Sequence, residues 1–252
     1  MSNPLDEIAI KHGTDKSSRL HGYTEAYHAV LGELRDRKLA ILEIGVLGGS
    51  SLRMWQEFFP YAEVFGIDKN PEACRHESER ARIFIGDQSD RAFLEDVARE
   101  TGPLDLIIDD GSHHPEHQIL GFETLFPHLR DGGIYVIEDL QCSFHPRYGP
   151  NAGLGNPGNA IEYLKSLLDV IHADPEHGGA LGDAITSHVR AIHVHPRIAF
   201  LFKGEPGTRP ASDTGRDRRR PWRAPRASPL QRVWNALAFA VRRRTRRWRR
   251  RH

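Results

Sequence analysis

The segment Ile107-Ile108-Asp109-Asp110-Gly111-Ser112-His113-His114-Pro115-Glu116-His117 gathers two adjacent carboxylates and three imidazoles within eleven residues, directly after an apolar run. A second apolar run ends in Val136-Ile137-Glu138-Asp139. If both runs are neighbouring strands, Asp110 and Asp139 converge at one sheet edge. Two hard oxygen ligands there suit Mg²⁺, which keeps several waters and avoids soft donors. His113, three residues beyond Asp110, titrates near neutral pH and is suited to take a proton as general base. Its target would be a hydroxyl acidified by the metal. Other readings of the same residues are a plain Asp-Gly-Ser turn with a histidine at the start of the next helix, or a zinc pair from His114 and His117.

A glycine loop precedes this cluster. Leu42-Glu43-Ile44-Gly45-Val46-Leu47-Gly48-Gly49-Ser50-Ser51 sits where an apolar run passes into an amphipathic one. Glycines at such a junction permit a tight turn and let a ligand approach backbone N–H groups. The spacing Glu43, Gly45, Gly49 differs from the G-x-G-x-x-G of dinucleotide sites. Asp68 closes the next apolar run at about the offset of an acid that grips ribose hydroxyls. Asp87 and Gln88 follow the third. Carboxylates without a phosphate cradle fit a cofactor bearing a sulfonium and an amine, namely S-adenosyl-L-methionine. The expected cofactor contacts are Glu43, Gly45, Gly49, Ser50, Asp68, Asp87 and Gln88.

The elements that must position these residues read as an α/β sheet. Short apolar runs at Leu39–Ile44, Glu63–Ile67, Ala81–Ile85, Leu104–Asp109 and Gly133–Glu138 have the character of parallel strands buried on both faces. Amphipathic segments at Ser50–Phe59, Asp90–Thr101 and Pro115–Leu129 alternate with them, the last opening on a proline suited to a first helical turn. Gln141–Gly158 is rich in Gly, Pro and Asn and reads as a long loop. A helix resumes at Asn159–His172, and Val189–His195 with Arg197–Lys203 form a closing antiparallel pair. The predicted fold is a doubly wound, mostly parallel seven-stranded sheet, Rossmann-like, in the layout of class I methyltransferases rather than dehydrogenases. Residues 1–37 form an N-terminal helical cap that contributes to the site, 38–204 the main domain, and 205–252 a basic tail.

Composition bounds the partners. A chain of 252 residues with two cysteines, Cys74 and Cys142, carries no disulfide framework. No stretch reaches the length of a bilayer span, and the first residues lack the features of a secretory signal, which predicts a cytoplasmic protein. Arg216–His252 holds fifteen Arg and one Asp, whereas Met1–Gly215 holds 20 Lys and Arg against 33 Asp and Glu. The tail interleaves arginine with Trp222, Trp234 and Trp248. Leu230, Val233, Trp234, Leu237 and Val241 fall near one face of a predicted amphipathic helix. Such a helix fits an anionic membrane surface, and would place the protein peripherally at the inner face of a membrane. Nucleic acid is the other polyanion it could hold, but the acidic body would repel it; the plain alternative is a solvated tail folding back on that acidic body. Self-association into a homo-oligomer is left open by the sequence.

Taken in order, Gly13-Thr14-Asp15-Lys16, His21-Gly22-Tyr23-Thr24-Glu25-Ala26-Tyr27, Leu42–Gly45, Gly66-Ile67-Asp68, Ile108–His113 and Ile137-Glu138-Asp139 resemble the macrolide sugar O-methyltransferases of the mycinamicin and tylosin type. The resemblance runs from about Gly13 to Lys203. It implies a metal held by Glu25, Asp110 and Asp139, His113 as base, and an acceptor hydroxyl on the sugar of a glycosylated natural product or glycolipid. Glu25 enters only through the resemblance; by its surroundings it is a helix-surface acid. The competing functions are an RNA-modifying methyltransferase anchored by the tail, a nicotinamide oxidoreductase, which the glycine spacing disfavours, and a non-catalytic cofactor-binding scaffold.

Overall fold

The structure is a computed structural model that describes residues 3–172 and 184–205; every described residue falls in one compact unit. The expectations for the Arg-rich tail lie outside the described residues, as does the stretch 173–183.

Seven strands form one sheet: β1 (Ala40–Ile44), β2 (Glu63–Asp68), β3 (Ala81–Ile85), β4 (Leu104–Asp109), β5 (Leu129–Ile137), β6 (Val189–His195) and β7 (Ile198–Lys203). Their order is β3-β2-β1-β4-β5-β7-β6. The first five are parallel, and β7 pairs antiparallel with both β5 and β6. This is the doubly wound arrangement expected from the sequence.

Among the described residues six α-helices cover the sheet: α1 (Pro4–His12), α2 (Tyr23–Leu31), α3 (Ser50–Phe58), α4 (Arg91–Thr101), α5 (Pro115–Leu125) and α6 (Ala160–His172). Their ends follow local chemistry. The Asn3 side chain caps α1 by accepting from the Leu5 and Asp6 amides, and Asp90 caps α4 by accepting from Ala92 and Phe93. The helix expected to reach Leu129 stops at Leu125, because Pro127 cannot continue an α-helical ladder; a short 3₁₀ turn, Phe126–His128, leads into a longer β5.

The period-2 alternation of each strand divides the core. Ile41, Leu106, Ile108, Val136 and Phe200 face α1, α2 and α3, where Tyr27, Trp55, Phe58 and Phe59 are buried. Leu42, Ile44, Ile107, Tyr135, Ile137 and Leu201 face the other way, against Leu94, Phe122, Phe126 and Leu164. Residues 4–34 are thus part of the core and not an appendage.

Registry puts the chemistry at one edge. Ile44 lies beside Ile67 and Asp109, and Asp109 beside Ile137. Beyond the last ladder rungs the Gly45 amide donates to Ile67 O (2.8 Å), Asp110 to Ile44 O (3.0 Å) and Glu138 to Asp109 O (3.0 Å). The carboxyl ends of β1, β2, β4 and β5 therefore terminate together, where open α/β sheets bind ligands. Among the described residues no helix is long and apolar enough to cross a membrane.

Candidate active site

At this edge lies a cavity of ≈ 740 Å³. One side is the glycine loop between β1 and α3. Gly45 has φ 95°, and a side-chain carbon built on it would sit 2.1 Å from the Asp110 carbonyl oxygen. Only glycine lets the loop cross that close to the end of β4. Asp68, on the pocket wall, accepts from the amides of Val46 (3.0 Å) and Leu47 (2.8 Å) through one oxygen and from Asn70 (2.8 Å) through the other. It organises the loop as well as facing the cavity. Asp87 and Gln88 line the far end. Gln88 is buried; it donates to Asp109 (2.7 Å) and accepts from the Ser112 amide (3.0 Å). Asp109, fully enclosed between them and Tyr135, has its carboxyl pushed up to about 7 by burial, against the lowering effect of the Gln88 hydrogen bond.

The opposite side holds Asp110, His113 and Asp139, whose ligating atoms all lie within 4.8 Å of one another. Asp139 Oδ1 accepts from Tyr23 Oη (2.6 Å) and Gln141 Nε2 (2.8 Å), while Oδ2 faces His113 Nε2 at 3.5 Å. Burial opposes its ionisation, but the hydrogen bonds from Tyr23 and Gln141 and the nearby His113 and His21 hold its carboxyl below the usual range. Asp110 gives one oxygen, Oδ2, to Lys16. Burial raises the Asp110 carboxyl, and Lys16 opposes that shift. Each aspartate thus keeps one oxygen without a hydrogen-bond donor among the described residues. His113 Nδ1 is buried and has no hydrogen-bond partner among the described residues. The two carboxylates supply hard oxygens suited to a divalent cation such as Mg²⁺, and the imidazole beside them is placed to act on a proton. His114, the residue before α5, instead stacks on His117 (5.0 Å), whose Nδ1 pairs with Ser112 Oγ (2.8 Å). No third metal-ligating group joins that pair among the described residues, which removes the zinc alternative.

Three expected site residues lie elsewhere. Glu25 is exposed on α2. Tyr23 and Tyr27, four residues apart, present the inward face of that helix to Asp139 and Glu138. Two residues after Tyr23 the helix has turned about 200°, so Glu25 points away from the cluster. Glu43 is sealed beneath the loop, where it accepts from Ser51 Oγ (2.7 Å) and Trp55 Nε1 (3.2 Å). Its carboxyl is pushed up to about 7, by burial first. It supports the loop from below and does not line the cavity. Gly49 starts α3 at φ 68° with the His76 ring packed where a side chain would be (2.5 Å); it too is absent from the cavity wall. Gly45, Ser50, Asp68, Asp87 and Gln88 do line it.

Lys16 was not singled out by its residue type. It is fully buried, and its ammonium contacts Asp110, Glu138 (2.8 Å) and Glu43 (3.6 Å). Burial favours its neutral form, but the three carboxylates overcome this and hold the ammonium charged, well above its ordinary range. Glu138 also accepts from Tyr27 Oη.

A family model described as a methyltransferase domain matches residues 42–140. The chain is 39% identical over 208 residues to the 8-demethyl-8-alpha-L-rhamnosyl tetracenomycin-C 2'-O-methyltransferase of Streptomyces olivaceus, covering 79% of this chain and 54% of that protein. It is 37% identical over 217 residues to the mycinamicin VI 2''-O-methyltransferase of Micromonospora griseorubida, covering 79% and 52%. Among solved structures it is similar to the MycE methyltransferase from the mycinamycin biosynthetic pathway in complex with Mg, SAH and mycinamycin VI, with TM-score 0.73 and 36% identity over 79% of this chain and 54% of that one. The chain spans about half the length of the curated relatives it matches.

Proposed function

We propose, from the premise that this chain carries a class I methyltransferase domain homologous to the macrolide sugar O-methyltransferases, that it transfers the methyl group of S-adenosyl-L-methionine to a sugar hydroxyl with the assistance of Mg²⁺. The observation that carries this reading is the convergence of Asp110, His113 and Asp139 within 4.8 Å beside a cavity walled by the glycine loop. The acceptor is the sugar of a glycosylated small molecule or glycolipid.

The cavity's loop, with Asp68, Asp87 and Gln88, binds and orients the methyl donor. Asp110 and Asp139 would hold the metal, each through the oxygen left without a donor. When bound, Mg²⁺ lowers the pKa of a nearby hydroxyl and offsets the negative charge that develops on its oxygen. His113, held beside Asp139, takes the acceptor's proton on a ring nitrogen. Tyr23 and Gln141 fix the Asp139 carboxylate so that the histidine keeps one place relative to it.

The test is incubation of the full chain with labelled S-adenosyl-L-methionine and a panel of rhamnosyl and deoxysugar glycosides, with Mg²⁺ or EDTA. Label should pass to a glycoside in Mg²⁺ and not in EDTA. Binding of NAD without binding of S-adenosylhomocysteine would refute the assignment. The fifteen arginines of 216–252 support a second element of the reading, a peripheral contact with an anionic membrane surface. Truncation at Gly215 should then abolish salt-sensitive binding to phosphatidylserine vesicles; unchanged binding would remove that element.

A further inference from the structure

The connection between α1 and α2, residues 13–22, forms part of the cavity wall through Gly13, Thr14, Asp15 and Leu20, although it carries no regular secondary structure. Two sets of bonds hold it. On the outer side Asp6 accepts from the Ser18 amide (2.7 Å), Ser18 Oγ (2.6 Å) and Thr24 Oγ1 (2.6 Å). On the inner side Lys16 runs into the protein, with 1% of its side chain exposed, and meets Asp110, Glu138 and Glu43. Those carboxylates come from the ends of β4, β5 and β1, the strands that carry the metal-facing groups and the glycine loop. An ammonium taken wholly out of water is strongly unfavourable unless carboxylates surround it, and a carboxylate left there alone is equally so. The connection therefore cannot lift while Lys16 stays in place, and Asp110 cannot turn its bonded oxygen outward.

We propose that Lys16 is a positioning residue, a single buried ammonium that fastens the 13–22 wall of the cavity to the strand ends and at the same time fixes which oxygen of Asp110 faces the site. The inference rests on the reading of the cavity as the methyl-donor pocket. The requirement is for charge and hydrogen-bond donors and not for bulk. Methionine would fill the same space, offer no donor, and leave Asp110 without its counter-charge. The core contacts of Leu5, Ala9, Tyr27 and Leu31, together with the Asp6 bonds, would still dock α1 and α2. Loss of the ammonium should therefore loosen the connection more than the fold.

Hydrogen exchange on the full chain, with wild type, Lys16→Met, Lys16→Gln and Lys16→Arg, reads this directly. The reporting amides are those of Thr14, Ser18, His21 and Gly22, each bonded within or beside the connection. Lys16→Met should speed their exchange at least tenfold while exchange in β2 and β3 stays unchanged. It should weaken calorimetric binding of S-adenosylhomocysteine by about tenfold, and Lys16→Arg should recover most of both. If Lys16→Met does not fold, Lys16→Gln is judged by the same criteria. Unchanged exchange at 13–22, an equal rise throughout the sheet, or faster exchange with unaltered affinity would each overturn the proposal. Failure of the wild type to bind S-adenosylhomocysteine would instead overturn the donor-pocket reading, and the exchange data would still decide whether Lys16 fastens the connection.

Discussion

Replacing Gly45 with alanine tests the contact on which the site's geometry turns. The new carbon would lie 2.1 Å from the Asp110 carbonyl oxygen and 2.8 Å from its carbon, with φ at 95°. The neighbour is backbone, so no side chain can swing aside. Relief to about 3.0 Å requires a displacement of roughly 0.9 Å between the loop and the end of β4, and crowding of that kind typically costs about 1–3 kcal/mol. A left-handed backbone adds about 1–2 kcal/mol for an L-residue. Moving Asp110 also strains its amide bond to Ile44 O (3.0 Å), worth about 1 kcal/mol. The total is about 3–6 kcal/mol, or a fall in Tm on the order of 10 °C for a domain of this size.

Two glycines provide the controls. Gly13 has φ 67° with nothing within 4 Å of an added carbon, so Gly13→Ala isolates the backbone penalty and should cost about 1–2 kcal/mol. Gly48, three residues along the same loop, has neither a positive φ nor a neighbour within 4 Å; Gly48→Ala should stay within about 0.5 kcal/mol of wild type. Thermal and urea unfolding of the three variants, with calorimetry of S-adenosylhomocysteine, separates the contributions. Displacing the loop by nearly an ångström should weaken binding about tenfold in Gly45→Ala, the equivalent of about one lost hydrogen bond. If Gly45→Ala unfolds with Gly13→Ala and binds normally, the close approach of loop and strand is refuted.

His113→Ala should lower kcat about 10²–10⁴-fold with S-adenosylhomocysteine binding retained, whereas His114→Ala, whose ring stacks on His117, should be much milder; equal losses would point to a structural turn. Asp139→Asn should reduce rate and Mg²⁺ dependence together, and EDTA should abolish wild-type turnover; full activity in chelator would remove Asp110 and Asp139 from their roles. Asp6 sets a pH dependence: burial raises its carboxyl, but hydrogen bonds from Ser18 and Thr24 win and hold it below its usual value. A depressed carboxylate stabilises the fold above its unfolded-state pKa, and that stabilisation is lost as pH falls through the folded-state value. Asp6→Asn should therefore be less stable than wild type at pH 7 by about 0.5–1 kcal/mol, the bonds being partly exposed and screened by solvent. The gap should close as pH falls through and below the ordinary carboxylate range, and a constant gap from pH 7 to pH 2 would refute the ionic origin.

The sheet was legible because buried parallel strands are short apolar runs, and all seven lie within a residue or two of their expected places apart from the early start of β5. Asp110, His113 and Asp139 were legible for a related reason: strand ends are easy to find, and topology brings them together. The misplaced residues failed on phase. Glu43 shares its strand face with Ile41, inward against α3, so alternation alone argues for a buried support and not a ligand contact. Glu25 has the wrong helical phase relative to Tyr23 and Tyr27. Lys16 was hidden for a different reason. An isolated lysine in a polar turn reads as solvated, and its partner Asp110 is 94 residues away. The available signal was the surplus of acids: Glu43, Asp110 and Glu138 close three adjacent strands, and so many buried carboxylates require a counter-charge from another segment.

Backbone strain marks the same place independently. Among the described residues only Leu47, His113, Asp139 and Arg197 are non-glycine residues at positive φ, and the first three all wall the cavity. Each costs on the order of 1–3 kcal/mol, a considerable share of the ~5–15 kcal/mol by which a domain is stable. Glycine at these positions would relieve the strain but would remove the imidazole and the carboxylate. Surrounding bonds hold the strained backbone instead. Asp68 takes the Leu47 amide, Tyr23 and Gln141 grip the Asp139 carboxylate, and the Cys142 amide donates to the Asp139 carbonyl. Most of those bonds come from residues whose own chemistry is unremarked in the sequence. The functional side chains can therefore be read from composition and spacing, but the conformations that aim them are set by partners that only the fold brings near.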